Sequence, residues 1–105
     1  MSDLADLQRR AEEIRAKYDH YNQKNGQAQW NSIDYAAGLV GDVGDLIKLV
    51  MAAEGKRGAE NLDAKLRHEL GDVLWSLLVI ANRYDINLEE AFLSTMNELD
   101  ERLAS

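Results

Sequence analysis

Asp42 and Asp45, and then Glu69 and Asp72, are the side chains of this sequence whose types and spacing best suit chemistry. Each pair stands three residues apart in an apolar helical pattern, GLVGDVGDLIKLV for the first and KLRHELGDVLW for the second. Residues at i and i+3 of a helix share a side, one turn apart, so each pair points one way from its helix. The polar break between the patterns is short enough to fold the second helix back along the first. The first pair lies about 11 residues before the break and the second about 9 after it; at ~1.5 Å per residue both fall at nearly the same level of an antiparallel hairpin. Four carboxylates then converge between two helices. Hard divalent cations, Mg2+ first and Mn2+ second, take such oxygen ligands together with water and substrate phosphates. Without a cation the four acids would repel one another and raise their own pKa values.

An acid pair at this spacing is also what an ordinary solvated helix face displays. Two pairs set among Leu39, Leu46 and Leu49, and among Leu66, Val73 and Val79, are harder to assign to that, and the spacing alone leaves both readings open. Gly41, Gly44 and Gly71 each directly precede an acid, and Gly38 lies one turn earlier. Glycine inside a helix costs about 1 kcal/mol relative to alanine. Close approach of a second helix or of a ligand is the expected reason for accepting that.

The elements that must hold these acids are four helices. Leu4, Leu7, Ala11, Ile14, Tyr18 and Tyr21 make one narrow apolar stripe on a helix from about Ser2 to Lys24, with Ser2 as its cap and Asn25-Gly26 as its left-handed stop. A second helix runs from about Ser32 to Glu54, capped by Asn31 or Ser32. Its apolar residues, among them Ile33, Ala36, Val40, Val43, Ile47 and Val50, cover more than half its circumference, which predicts burial on several sides. A third runs from about Leu62 to Tyr84, with Asn61 as candidate cap. Its continuous apolar run from Val73 to Ala81 marks a central element. A fourth runs from Leu88 to about Leu103, opened by Asn87 and Glu90 at capping-box spacing. Period-two segments are absent, so the chain reads as all-α, a four-helix bundle or part of one, in a single domain spanning 1–105.

Composition narrows the partners. A net charge of −7 disfavours general binding to nucleic acid or to anionic membranes, both of which need a basic footprint. An acidic protein can still hold a polyphosphate when a cation mediates. There is no cysteine, so disulfides, thiolate catalysis and zinc–thiolate sites are excluded. No signal-like or membrane-length apolar run is present, and the expectation is a cytoplasmic protein.

The acids also carry a resemblance. Gly41-Asp42-Val43-Gly44-Asp45 and Glu69-Leu70-Gly71-Asp72 resemble the EExxE and ExxD motifs of the MazG-like all-α nucleoside triphosphate pyrophosphatases, a superfamily that includes the dCTP pyrophosphatases and is related to the dimeric dUTPases. LVGDVGDL is similar to the LVGEVGEL of the dCTP pyrophosphatase branch, and the similarity continues through VLWSLLVIANRYDINLEEAF, covering about residues 30–96. The resemblance implies hydrolysis of a nucleoside triphosphate to monophosphate and pyrophosphate, in a housecleaning role. It implies Asp42, Asp45, Glu69 and Asp72 as Mg2+ ligands and metal-activated water attack at the α-phosphorus, with Asp45 or Glu69 orienting the water. It also implies a four-helix MazG-type bundle completed by a homodimer or homotetramer. Two departures stand out. Both acids of the first motif are Asp where Glu is usual, one methylene shorter, which bears on metal position and preference. The last helix carries Asn97 but no lysine where the family often has basic or amide residues that hold substrate.

Around the acids, Trp30 in its polar connector and Trp75, one turn past Asp72, are candidate base contacts, with core packing the competing reading for Trp75. Ser76 and Lys48 are weaker substrate candidates. Lys56, Arg57, Lys65 and Arg67 are solvated charge or phosphate contacts, and Tyr18 and Tyr21 core or dimer packing. His20 and His68 lack a ligand pattern. The alternative function is a non-catalytic helical module of the same fold that binds metal, nucleotide or protein.

Overall fold

A computed structural model of the chain describes residues 3–55 and 60–104. These form four helices: α1 (Leu4–Lys24), α2 (Ser32–Ala53), α3 (Leu62–Arg83) and α4 (Leu88–Leu103). There is no strand among the described residues. The all-α expectation holds.

The helix starts are set by short polar side chains, one of them not the residue expected. Asp3 caps α1 in a reciprocal box with Asp6, whereas Ser2, the residue favoured from sequence, lies outside the described residues. Asn31 rather than Ser32 caps α2, in a second box with Asp34. Asn61 occupies the cap position of α3 but takes a left-handed backbone (φ 51°) and its side chain makes no capping bond. Asn87 accepts from the Glu90 N–H at 3.1 Å. Gly26 (φ +67°) supplies the left-handed residue just beyond α1.

The long apolar run makes α3 the centre, with α2 packed on one side and α1 on another. The core is small: Ala11, Tyr35, Leu78 and Val79, with Leu4, Trp75, Ile80 and Leu88 packed against it. Buried Gln8 ties three elements together. Its Nε2 donates to Asn82 Oδ1 and to the Ile86 carbonyl, both at 3.0 Å. Its Oε1 accepts from the Leu88 N–H at 3.1 Å, and Asn82 Nδ2 donates to the Gln8 carbonyl at 2.8 Å. α4 packs on α1 and has no buried residue of its own, so this amide cluster is a principal anchor of its first turn.

α2 departs from expectation. Of its residues only Tyr35 is buried. Ile33 (77% exposed), Val40 (72%) and Ile47 (55%), spaced seven apart, form an outward stripe flanked by Val43 and Val50. The physical reason is that α3 covers one side of α2 and no other described element covers the rest. The chain exposes 7928 Å2, against about 5900 Å2 for a typical folded monomer of its mass. Its radius of gyration is 16.6 Å, against about 13 Å for a compact domain of this length.

Candidate functional site

α2 and α3 run antiparallel and bring the two acid motifs level. Asp42 from α2 and Glu69 and Asp72 from α3 each offer one carboxylate oxygen, all within 4.8 Å of one another and all half-buried. Octahedral Mg2+, with ligands at about 2.1 Å, sets neighbouring oxygens about 3 Å and opposite oxygens about 4.2 Å apart. The trio can close on such an ion by side-chain adjustment, and three carboxylates leave positions for water and phosphate. Its charge balance points the same way. The Glu69 carboxyl is held above the usual range, by its burial first and then by the charges of Asp42, Asp45 and Asp72, with His68 acting in the opposite direction. A cation between them would relieve that repulsion.

Asp45 stands outside the trio, one turn nearer the α2–α3 connection. With Glu69 it borders an open hollow of about 270 Å3 whose other walls are Lys48, Leu49, Lys65 and His68. His68 is a residue sequence reasoning passed over. Its Nε2 lies 3.1 Å from Asp72 Oδ2. The i to i+4 spacing of His68 and Asp72 was the available signal. Lys56 and Arg57 lie outside the described residues, and Arg67 pairs with Asp63 at 2.9 Å, away from the acids.

On the opposite side of the trio lies a second hollow, of about 400 Å3, between α1 and the start of α2. Aromatic rings wall it. Tyr18 and Trp75 have centroids 5.7 Å apart, Trp30 and Tyr35 5.3 Å, and Tyr35 and Trp75 meet edge-on at 6.0 Å. Tyr21, Asn22 and Gln27 complete the rim. Tyr18 and Tyr21, expected as core or dimer packing, are more than half exposed here. Trp75 packs on the core, its Nε1 donating to the Ala11 carbonyl at 3.4 Å, and it also lines the hollow. Trp75 is three residues past Asp72, and Trp30 abuts Gly38, four residues before Asp42. Hollow and trio are therefore about one helical turn, ~5–6 Å, apart along the hairpin.

Two candidates fall elsewhere. Ser76 is 4% exposed, turned into the core instead of toward either hollow. Asn97 is exposed on α4, which packs on α1, and borders neither hollow. The glycine expectation also changes. A Cβ on Gly38 would crowd Trp30, but at Gly41, Gly44 and Gly71 it would meet nothing within 4 Å, so no second helix of this chain requires them.

The profile of the MazG nucleotide pyrophosphohydrolase domain matches residues 31–104. The chain belongs to the MazG family. It is also 31% identical over 93 residues to the uncharacterized protein YpjD of Bacillus subtilis (strain 168), covering 86% of this chain and 83% of that one. The MazG match contains α2, α3 and α4 with all four acids, whereas α1 and Trp30 precede it. No helix among the described residues is long and apolar enough to cross a membrane.

Proposed function

We propose that this MazG-family chain hydrolyses a nucleoside triphosphate to the monophosphate and pyrophosphate with Mg2+, Mn2+ serving as a substitute, in a housecleaning role. The observation that carries the reading is the trio of carboxylate oxygens from Asp42, Glu69 and Asp72, gathered between two helices of a pyrophosphohydrolase-family domain. When bound there, a divalent cation supplies charge neutralisation of the triphosphate and Lewis acidity at the α-phosphate. Asp42, Glu69 and Asp72 hold it. Asp45, adjoining but outside the trio, or Glu69 orients the attacking water and accepts its proton. Trp30 and Trp75 receive the base in the aromatic hollow, where a planar ring can stack edge or face against indole and phenol. With Asp at 42 in place of Glu, the ligand reaching from α2 is one methylene shorter, which would bear on metal preference.

The chain works as a homodimer or homotetramer. The stripe of Ile33, Val40 and Ile47 on α2, and an exposed area about 2000 Å2 above that of a typical monomer of this mass, support this. An obligate interface hides an area of that order.

The decisive assay is pyrophosphate release from a panel of ribo- and deoxyribonucleoside triphosphates, canonical-base and modified, with Mg2+ and with EDTA. Metal-dependent release of pyrophosphate, not orthophosphate, from a subset is expected. Silence across the panel from folded, metal-replete protein would sink the proposal.

A further inference from the structure

The two hollows that flank the acids differ in charge. The aromatic one carries only neutral groups: five rings and the amides of Asn22 and Gln27. The other carries two lysines. Lys48 stands three residues beyond Asp45 on α2, and Lys65 four residues before Glu69 on α3. At those spacings each ammonium lies on the side of its acid, one turn toward the α2–α3 connection. Among the described residues neither lysine lies within 4.0 Å of a carboxylate, although Asp45 and Glu69 border the same hollow. The two cations face open space beside the acids.

A nucleoside triphosphate is as asymmetric as this site. Its base is planar and uncharged, and most of its negative charge sits on the β- and γ-phosphates. We infer that Lys48 and Lys65 receive the β- and γ-phosphates, so that the substrate lies along the α2–α3 hairpin with its base toward Trp30 and its diphosphate toward the connection. The inference rests on the pyrophosphohydrolase reading and gives that reaction a direction. The reverse orientation would put the base over two ammonium groups and the diphosphate among neutral rings, beside guanidiniums that are already engaged: Arg83 lies over the Tyr35 ring at 5.5 Å and donates to Ser32, and Arg15 pairs with Glu12 and Asp19.

In this orientation the α-phosphorus lies over the trio and the scissile bond points at Lys48 and Lys65. The water oxygen bonds to the α-phosphorus. The bond from that phosphorus to the α,β-bridging oxygen breaks, and its electron pair leaves on the bridging oxygen as diphosphate. The water attacks in line, from the side away from the two lysines, and its proton goes to a carboxylate of the acid cluster. The ammonium groups offset the charge that arrives on the leaving diphosphate, a contribution made in the transition state as well as in the product.

Binding of inorganic pyrophosphate with Mg2+, measured by isothermal titration calorimetry, tests this without turnover. The Lys48→Gln/Lys65→Gln double variant should lose at least tenfold in pyrophosphate affinity, while nucleoside monophosphate affinity changes less than twofold. Lys48→Arg/Lys65→Arg should recover most of the loss. Both positions are exposed, so circular dichroism should report an unchanged fold. Unchanged pyrophosphate affinity in the double Gln variant overturns the assignment. So does an equal loss for monophosphate, or no pyrophosphate binding by the wild type. Wild-type protein that hydrolyses triphosphates while the variants bind pyrophosphate normally sinks this inference alone. Wild-type protein that is silent on the triphosphate panel sinks the catalytic reading, and the pyrophosphate titration still reports on the lysines.

Discussion

The indole of Trp30 rests against Gly38: a Cβ at position 38 would stand 3.2 Å from Trp30 Cζ3. The contact fixes where the connector into α2 lies and closes one wall of the aromatic hollow. Gly38→Val should therefore push the ring off its seat. The expected result is a several-fold rise in KM for the nucleotide with kcat nearly unchanged, since the acids are untouched. A kcat that falls with KM constant would mean that Trp30 does not contact the bound substrate.

Gly71→Ala should go the other way. The added methyl meets nothing within 4 Å, and alanine is favoured over glycine in a helix interior by about 1 kcal/mol. For a domain of this size that is a rise in Tm of about 4 °C. Thermal melts in EDTA check it. A lower Tm would reveal a close neighbour at that surface, such as another copy of the chain.

Glu69 ties stability to pH. Its carboxyl binds a proton more readily in the folded chain than in the unfolded one, because its burial and the surrounding acids disfavour the charge. Metal-free stability therefore falls as pH rises from the ordinary glutamate pKa, about 4.3, through the raised folded value, and is level above it. Glu69→Gln removes that loss. In EDTA its Tm at pH 7.5 should exceed that of the wild type, with the gap closing below pH ~4. Mg2+ should raise the Tm of the wild type and leave that of the variant nearly unmoved. Equal gains with Mg2+ in both proteins would remove Glu69 from the ligand set.

Gln8 holds the start of α4 through its amide. Gln8→Ala leaves the Ile86 carbonyl and the Asn82 amide without their partner in a part-buried setting, at a cost of roughly 2 kcal/mol. Because α4 buries nothing of its own, the loss should be local. Amide hydrogen exchange in α4 should quicken by at least tenfold while α3 keeps its protection. Uniform quickening across all helices would show that the helices unfold as one cooperative unit.

The outward stripe of α2 predicts what a charge there would do. Val40→Glu with Ile47→Glu places two carboxylates on the face proposed to meet another copy. Sedimentation velocity at micromolar concentration should show a dimer or tetramer for the wild type and a monomer for the variant. An unchanged sedimentation coefficient would locate the interface elsewhere.

Much of this was legible in the residues. The four helices, the central place of α3 and the level meeting of the two acid motifs follow from apolar periodicity and from counting residues to a short connection. What was not legible depended on side-chain direction in three dimensions. Asp45 shares a face with Asp42 in projection, yet its carboxylate lies outside the trio, although Glu69 and Asp72 at the same spacing on α3 both belong to it. Ser76 is likewise one turn from Asp72, but on a helix buried at that level the same step leads into the core. Tyr35 and Gln8 become core and clamp through partners far away in sequence, which no local pattern encodes. The apolar breadth of α2 led to an expectation of burial on several sides, whereas among the described residues only Tyr35 of this helix is buried.

Five of the seven residues around the aromatic hollow (Tyr18, Tyr21, Asn22, Gln27 and Trp30) come before residue 31, where the family match begins, and every acid comes after it. On the proposed reading, most of the wall that would receive the base and all of the acids that would serve the hydrolysis fall in consecutive stretches of chain. Substitutions confined to Tyr18, Tyr21, Asn22, Gln27 and Trp30 would then be a route to a new diet for the same reaction, with Gln8 and Ala11 left to hold α1 in place.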